Sequence, residues 1–175
     1  FMSRLVKNKG LFLAFEIFLK IKKIHEDLNF EFIVAGDGPL LEEVKLYVKD
    51  KNIKNVIFKG YVENYDKHDL LVSSDIVLFP TRYGEGLPNF ILEGMLYGLP
   101  IISRINSAIP EWIINNKNGF ITKSVDADDF IPFISKLISN KPLYKKISIL
   151  NHKIAIENFI PKMVKKRLIN IYNNS

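Results

Sequence analysis

The sequence predicts an α/β domain with a Rossmann-like, doubly wound parallel sheet. Three observations carry that expectation. Short apolar runs, such as residues 30–35 (FEFIVA) and 76–79 (IVLF), alternate with longer stretches of helical period. The runs are apolar at successive positions, the pattern of strands covered on both faces. Glycines cluster just after the runs, at Gly36, Gly38, Gly60, Gly84 and Gly86. Right-handed crossovers bring the C-terminal ends of parallel strands to one edge, and ligands bind at that edge.

In chain order, residues 2–6 (MSRLV) read as the end of a strand and residues 7–10 as a turn. Residues 11–28 form an amphipathic helix, and residues 30–35 a strand. Gly36-Asp37-Gly38-Pro39 turns into a second helix over 40–49, with Asp37 its expected cap. Residues 56–59 are a strand ended by Gly60; 66–73 are a short helix and 76–79 the next strand, closed by Pro80. The segment 83–100, YGEGLPNFILEGMLYGLP, is the centre of the pattern. Its glycines turn the chain, Pro88 suits a first helical position where the missing N–H costs nothing, and Gly98 stops the helix. Residues 101–103 and 119–122 are buried strands, with a short helix over 109–114 between them. Helices follow over 126–139, with Asp126 at the N-cap, from Pro142 to about residue 157, and from Pro161 to about residue 172. Trp112 and the phenylalanines are core residues.

The 175 residues make one domain, large enough to bury a core. The chain opens Phe1-Met2 directly into structured sequence, which reads as one lobe of a longer parent. There is no cysteine, so disulfides, thiolate metal sites and a cysteine nucleophile are excluded. No apolar run approaches the ~18 residues of a spanning helix. The net charge is +6, and Lys162, Lys165, Lys166 and Arg167 stand without acidic neighbours. A solvated or membrane-facing surface explains this better than nucleic acid, because no helix-turn-helix spacing, zinc finger or aromatic-basic RNA motif accompanies it. His25, His68 and His152 are scattered on polar faces and receive no role. Asp126, Asp128 and Asp129 lack a second ligand set, so no metal is expected there.

The central segment also suggests chemistry. A helix N-terminus offers unbonded N–H groups and partial positive charge, which suit a phosphate. Glu85 and Glu93 frame that turn. Carboxylates repel phosphate but accept hydrogen bonds from hydroxyls, so amides and acids together suit a nucleotide sugar. Taken alone, each glutamate is better explained as a charge favouring a helix start.

Four segments in order resemble a known family. SRLVKNKG (3–10) is similar to its GRLxxxKG; FIVAGDGP (32–39), VIFKGYV (56–62) and EGLPNFILE (85–93, its E-x7-E motif) follow, with Leu99-Pro100 and Ile109-Pro110-Glu111 matching as well. The chain, from Arg4 to Tyr172, resembles the C-terminal, donor-binding lobe of the group 1 (GT4) retaining glycosyltransferases of the two-domain GT-B type. The resemblance implies that residues 1–175 bind a nucleotide-sugar donor and that an N-terminal acceptor lobe lies elsewhere. Residues 161–172 would then be the helix that crosses back towards that lobe. It implies catalytic roles for Arg4 and Lys9, on the donor pyrophosphate, and for Glu85, on the donor sugar. Glu93 would take the ribose hydroxyls. Gly86, Leu87, Pro88 and Asn89 would lie along the phosphates, with the amides of Leu87 and Asn89 as donors, since Pro88 has no N–H. Gly60, Tyr61 and Val62 would read the base through their backbone, and Gly36 belongs to the same set of donor-binding loops.

The departures are local. Ser3 stands where the family has glycine, and Asn106-Ser107-Ala108 replaces its glycine pair. Gly94 stands where alanine is usual, and a helical glycine costs ~1 kcal/mol, so close packing against it is expected.

The resemblance further implies sugar transfer with retention. The donor would be a UDP-sugar carrying a hexose or N-acetylhexosamine, and the acceptor a lipid-linked saccharide of O-antigen or other surface polysaccharide. No metal cofactor and no side-chain nucleophile in this lobe are implied, and the lobe alone would be inactive. The location would be cytoplasmic, peripheral at the inner face of the cell membrane. Two alternatives stand beside it: a GT-B-fold nucleotide-sugar epimerase, and a non-catalytic module that associates with membranes through the helices at 11–28 and 161–172.

Overall fold

The computed structural model describes residues 1–84 and 86–173. Its strands are all parallel. β1 (Phe32–Ala35) pairs with β2 (Val56–Gly60), and β3 (Val77–Phe79), β4 (Ile101–Arg104) and β5 (Gly119–Thr122) form the order β3-β4-β5. Phe1–Ser3 runs beside β1: Met2 bridges Ala35 in parallel, the Ala35 amide donates to the Phe1 carbonyl (2.9 Å), and the Ser3 amide to the Ala35 carbonyl (3.1 Å). The Phe1 ring lies 5.5 Å from that of Phe79, so the same segment also touches β3. β3 is buried at every position, and Ile101, Ile102 and Ser103 of β4 are too. That is why these strands read as continuous apolar runs.

Each face-forming helix meets the sheet through a few large side chains. α1 (Leu11–Ile24) packs Phe15 and Phe18 on Phe32 of β1, with ring centroids 5.2 and 5.3 Å apart. α6 (Ile131–Ser139) stacks Phe133 on Phe120 of β5 at 5.1 Å. α4 (Asn89–Leu96) lies over β3 and β4 at Gly94, where a Cβ would stand 2.6 Å from Val77 Cγ2 and 3.2 Å from Ile101 Cδ1. The expected close packing at this glycine is therefore present. α2 (Leu41–Asp50), α3 (Asn64–Val72), the short α5 (Ile109–Trp112), α7 (Lys141–Phe159) and α8 (Pro161–Asn173) complete the chain. α7 is pinned by Asn151, fully buried, whose amide donates to the carbonyls of Leu99 and Asn118, both at 2.8 Å.

Several expected boundaries move. Helix 11–28 ends at Ile24, where the His25 amide closes the last turn on Ile21. Residues 2–6 make a single bridge at Met2, and Lys7–Lys9 forms a 3₁₀ turn. Asp37 does not cap α2. Its carboxylate accepts the amide of Gly38 at 2.6 Å, and the intervening turn leaves α2 to start at Leu41 with no side-chain cap. Pro88 is the N-cap residue of α4, in extended conformation, one position earlier than expected. Asp126 caps as expected by accepting the Asp128 amide (2.9 Å), but the helix predicted over 126–139 is a 3₁₀ turn at Ala127–Asp129 followed by α6. Trp112 is only half-buried; its ring lies 4.4 Å from Phe159 and ties α5 to the end of α7. At the replaced glycine pair, Ser107 adopts a positive φ of 45°, so the backbone keeps a glycine-like turn.

Candidate functional site

The loops after the strands lie at the C-terminal edges of the two sheets, β1-β2 and β3-β4-β5. Three of them are joined by backbone hydrogen bonds. The Leu5 amide donates to Asp37 and the Gly36 amide to Gly60 (2.8 and 2.6 Å). Gly36 has no room for a side chain: a Cβ would stand 1.8 Å from the Ser3 carbonyl oxygen, at φ +127°. Its N–H is used by Gly60, so in this structure Gly36 couples the loops after β1 and β2. Arg4 lies between Ser3 and Leu5 on this rim, exposed, with no carboxylate partner among the described residues.

The 7–10 turn is clamped to the segment after β3. The Arg82 amide donates to the Asn8 carbonyl at 2.8 Å, and the Thr81 hydroxyl to the same oxygen at 3.4 Å. A Cβ on Gly10 would stand 2.2 Å from the Pro80 carbonyl oxygen, and Gly10 takes the left-handed φ of 83°. This close approach brings the buried Lys9 ammonium to 4.4 Å from the Tyr83 ring centroid and 5.8 Å from that of Phe79. Lys9 thus reaches the chain three residues before Gly86. Thr81 shapes that chain by accepting the Tyr83 amide at 3.1 Å, and Asn106 ties in the loop after β4 by donating to the Tyr83 carbonyl at 2.5 Å.

Gly86 and Asn89 are exposed at the start of α4, Leu87 is half-buried and Pro88 buried. The Ile91 and Leu92 amides bond the Pro88 carbonyl, so the amides that lack a carbonyl one turn back are those of the first residues. Glu85 lies outside the described residues. Glu93, in the second turn, accepts a hydrogen bond from Lys67 Nζ of α3 at 2.8 Å. This pair raises the Lys67 pKa above the ordinary lysine value, chiefly through the hydrogen bond to Glu93. On the other side Glu93 and Asn89 border a cavity of about 240 Å³ closed by Phe159, Ile160 and Pro161. Gly60 ends β2 at φ 66°, Tyr61 is 74% exposed and Val62 half-buried. The larger cavity, about 720 Å³, lies at the opposite edge among strand starts, lined by Phe30, Ile76 and Tyr144. It touches none of the loops above.

Three basic residues at this edge escape a motif-based reading. Lys67 comes from a helix outside every matched segment. Arg82 lies three residues before Glu85, and Arg104 closes β4. Arg104 Nε and Nη2 donate to the carbonyls of Ser124 and Lys123, both at 2.6 Å. Burial, with the charge of Arg82 adding to it, holds its guanidinium below the ordinary arginine value. Their only sequence signal is position: each falls beside a loop that follows a strand. Among the described residues no group of three His, Cys, Asp or Glu is placed to hold a metal.

The arrangement offers cations and amides to an anion, and a carboxylate to hydroxyls, along one edge. The family model for glycosyl transferases group 1 matches residues 1–152. A poly(ribitol-phosphate) alpha-N-acetylglucosaminyltransferase of Staphylococcus aureus is 26% identical over 99% of this chain and 34% of its own length. The crystal structure of Alr3699/HepE from Anabaena in complex with UDP superposes with a TM-score of 0.85 at 19% identity, covering 99% of this chain and 48% of that one. The C-terminal domain of LpcC, a glycosyl transferase group 1 family protein from Francisella tularensis, gives 0.77 at 24% identity over 92% of this chain and 84% of that one. These structural likenesses establish the fold. The chain spans less than half the length of the curated relatives it matches.

Proposed function

The chain belongs to the group 1 glycosyl transferases, and on that premise we propose that it is the donor-binding lobe of a retaining transferase that uses a UDP-sugar. The observation that carries this reading is the clamp between the Asn8 and Arg82 backbones, which sets Lys9 against the approach to α4. A diphosphate lies between that ammonium, Arg4 and the first amides of α4. Glu93 takes ribose hydroxyls, Glu85 takes the sugar, and the segment Gly60-Tyr61-Val62 faces the base. When the bond from the anomeric carbon to the phosphate oxygen breaks, the leaving diphosphate gains negative charge. Cations held there stabilise the transition state more than the ground state. The acceptor oxygen forms the new bond on the same face and gives its proton to the departing phosphate. No metal is assigned a step.

UDP in the HepE complex supports uracil as the base. Relatives named for colanic acid, amylovoran and poly(ribitol-phosphate) support a surface-polysaccharide acceptor; we propose that it is a lipid-linked saccharide of the O-antigen kind. The acceptor is held by a second lobe, towards which α8 crosses. Calorimetry of the chain with UDP, GDP and UMP tests the reading: UDP binds, and Glu93→Ala weakens it about 10–100-fold, the worth of a hydrogen bond to a charged group. Absence of binding by both UDP and GDP overturns it.

We further propose peripheral attachment to an anionic membrane, at its cytoplasmic face. Among the described residues no helix is long and apolar enough to cross a membrane. α8 instead places Lys162, Lys165, Lys166 and Arg167 among the exposed Val164, Leu168 and Ile169, the composition of an interfacial helix. Co-sedimentation with liposomes rises with the fraction of anionic lipid; sedimentation independent of lipid charge removes the proposal.

A further inference from the structure

We infer that Lys67 determines specificity at the donor site by forming, with Glu93, an ammonium–carboxylate pair that reads the vicinal 2′,3′-diol of a ribonucleotide. The inference rests on the donor-site reading above and adds to it a residue from a different helix. Lys67 Nζ stands 2.8 Å from Glu93 Oε1, and the two side chains are 33% and 30% exposed. They are neither fully solvated, where such a pair would be worth little, nor sealed in the core. Each group therefore keeps part of its surface open to a ligand.

The chemistry of a diol explains why two groups serve better than one. A ribose hydroxyl is both a donor and an acceptor, whereas a carboxylate only accepts and an ammonium only donates. Glu93 alone can take the hydroxyl protons but leaves their oxygens without a protein donor. Lys67 bonds Oε1 through one of its three N–H groups and leaves two for a hydroxyl oxygen, while Oε2 remains for a hydroxyl proton. Among the described residues Lys67 is the hydrogen-bond partner of the Glu93 carboxylate. The same pairing keeps Lys67 charged, its pKa raised by Glu93 first and by the nearby Tyr61 and Tyr97 to a smaller extent, with desolvation opposing. Tyr61 belongs to the loop proposed to face the base and adds to the charge effect on Lys67, so Lys67 is within electrostatic reach of that loop as well as bonded to Glu93. A ligand lacking one hydroxyl leaves a charged group without its partner, and sites built to bond a hydroxyl reject the analogue that lacks it.

Calorimetry with the whole chain tests this, using UDP, 2′-deoxy-UDP and 3′-deoxy-UDP as probes. The wild type prefers UDP over at least one deoxy analogue by about tenfold or more. Lys67→Met lowers that preference by at least about threefold, because the donor to the hydroxyl oxygen is gone while Glu93 still accepts the hydroxyl proton. Lys67→Arg restores most of it, since a guanidinium still donates to both oxygens. Thermal melting of each variant shows whether the lobe is intact. If Lys67→Met leaves the ratio unchanged, whether UDP affinity stays or falls for all three probes alike, Lys67 is a surface tie between helices and the inference is overturned. If the wild type binds none of the three, the donor-site reading itself has failed, and the assignment of Lys67 with it.

Discussion

The two sides of the candidate site are built differently. On the α4 side, the helix that carries Glu93 sits directly on the sheet, with Gly94 against Val77 and Ile101 and with Ile91 and Met95 fully buried. On the α3 side, Tyr61 and Tyr65 are 74% and 85% exposed, and only Leu70 and Leu71 of α3 are buried. The first side is fixed by the core and can tolerate little change. The second is attached by a few residues and can vary without disturbing the fold. On the proposed reading the diphosphate and the Glu93 contact to the ribose fall to the fixed side, and the base, with Lys67, falls to the adaptable one.

Substitutions on each side sharpen or break that contrast. The largest effect is expected from Gly94→Val. Its Cβ alone would stand 2.6 Å from Val77 Cγ2. Overpacking of this kind costs about 3 kcal/mol, a fall in melting temperature of roughly 6–12 °C for a domain of this size. UDP affinity falls with it, because α4 must lift from the sheet. A thermal melt that matches wild type would show that the helix is not held as described. The smallest effect is expected from Tyr61→Ala. Stability changes by less than about 0.5 kcal/mol, as at other exposed positions. UDP affinity changes by less than about tenfold, within the range of one lost aromatic contact to a base. Cooperative unfolding of this variant at a clearly lower temperature would mean that the base-side loop is part of the core after all.

The same contrast explains what was legible in the sequence. β3 and β4 were readable because strands covered on both faces are apolar at successive positions. Gly94 was readable as a contact because glycine inside a helix needs a reason. Lys9 was readable because the segment that carries it, SRLVKNKG, has a recognisable pattern. Lys67 and Arg104 were not, since each is held by groups distant in sequence: Lys67 by Glu93, Arg104 by the carbonyls of Lys123 and Ser124. Asp37 was misread as a helix cap because residue type alone does not tell which amide is near. The Gly38 amide is adjacent and takes the carboxylate first. The split between the 3₁₀ turn at Ala127–Asp129 and α6 was invisible for a similar reason. Asp126 caps either kind of turn equally well.

The bond between Asn8 and Arg82 has a consequence for affinity as well as place. It couples two segments more than seventy positions apart in the chain, and Asn106 couples a third through Tyr83. For the proposed diphosphate, the disorder that would otherwise be lost in gathering these loops has already been lost in folding. Such preorganisation leaves more of the gross attraction as net affinity.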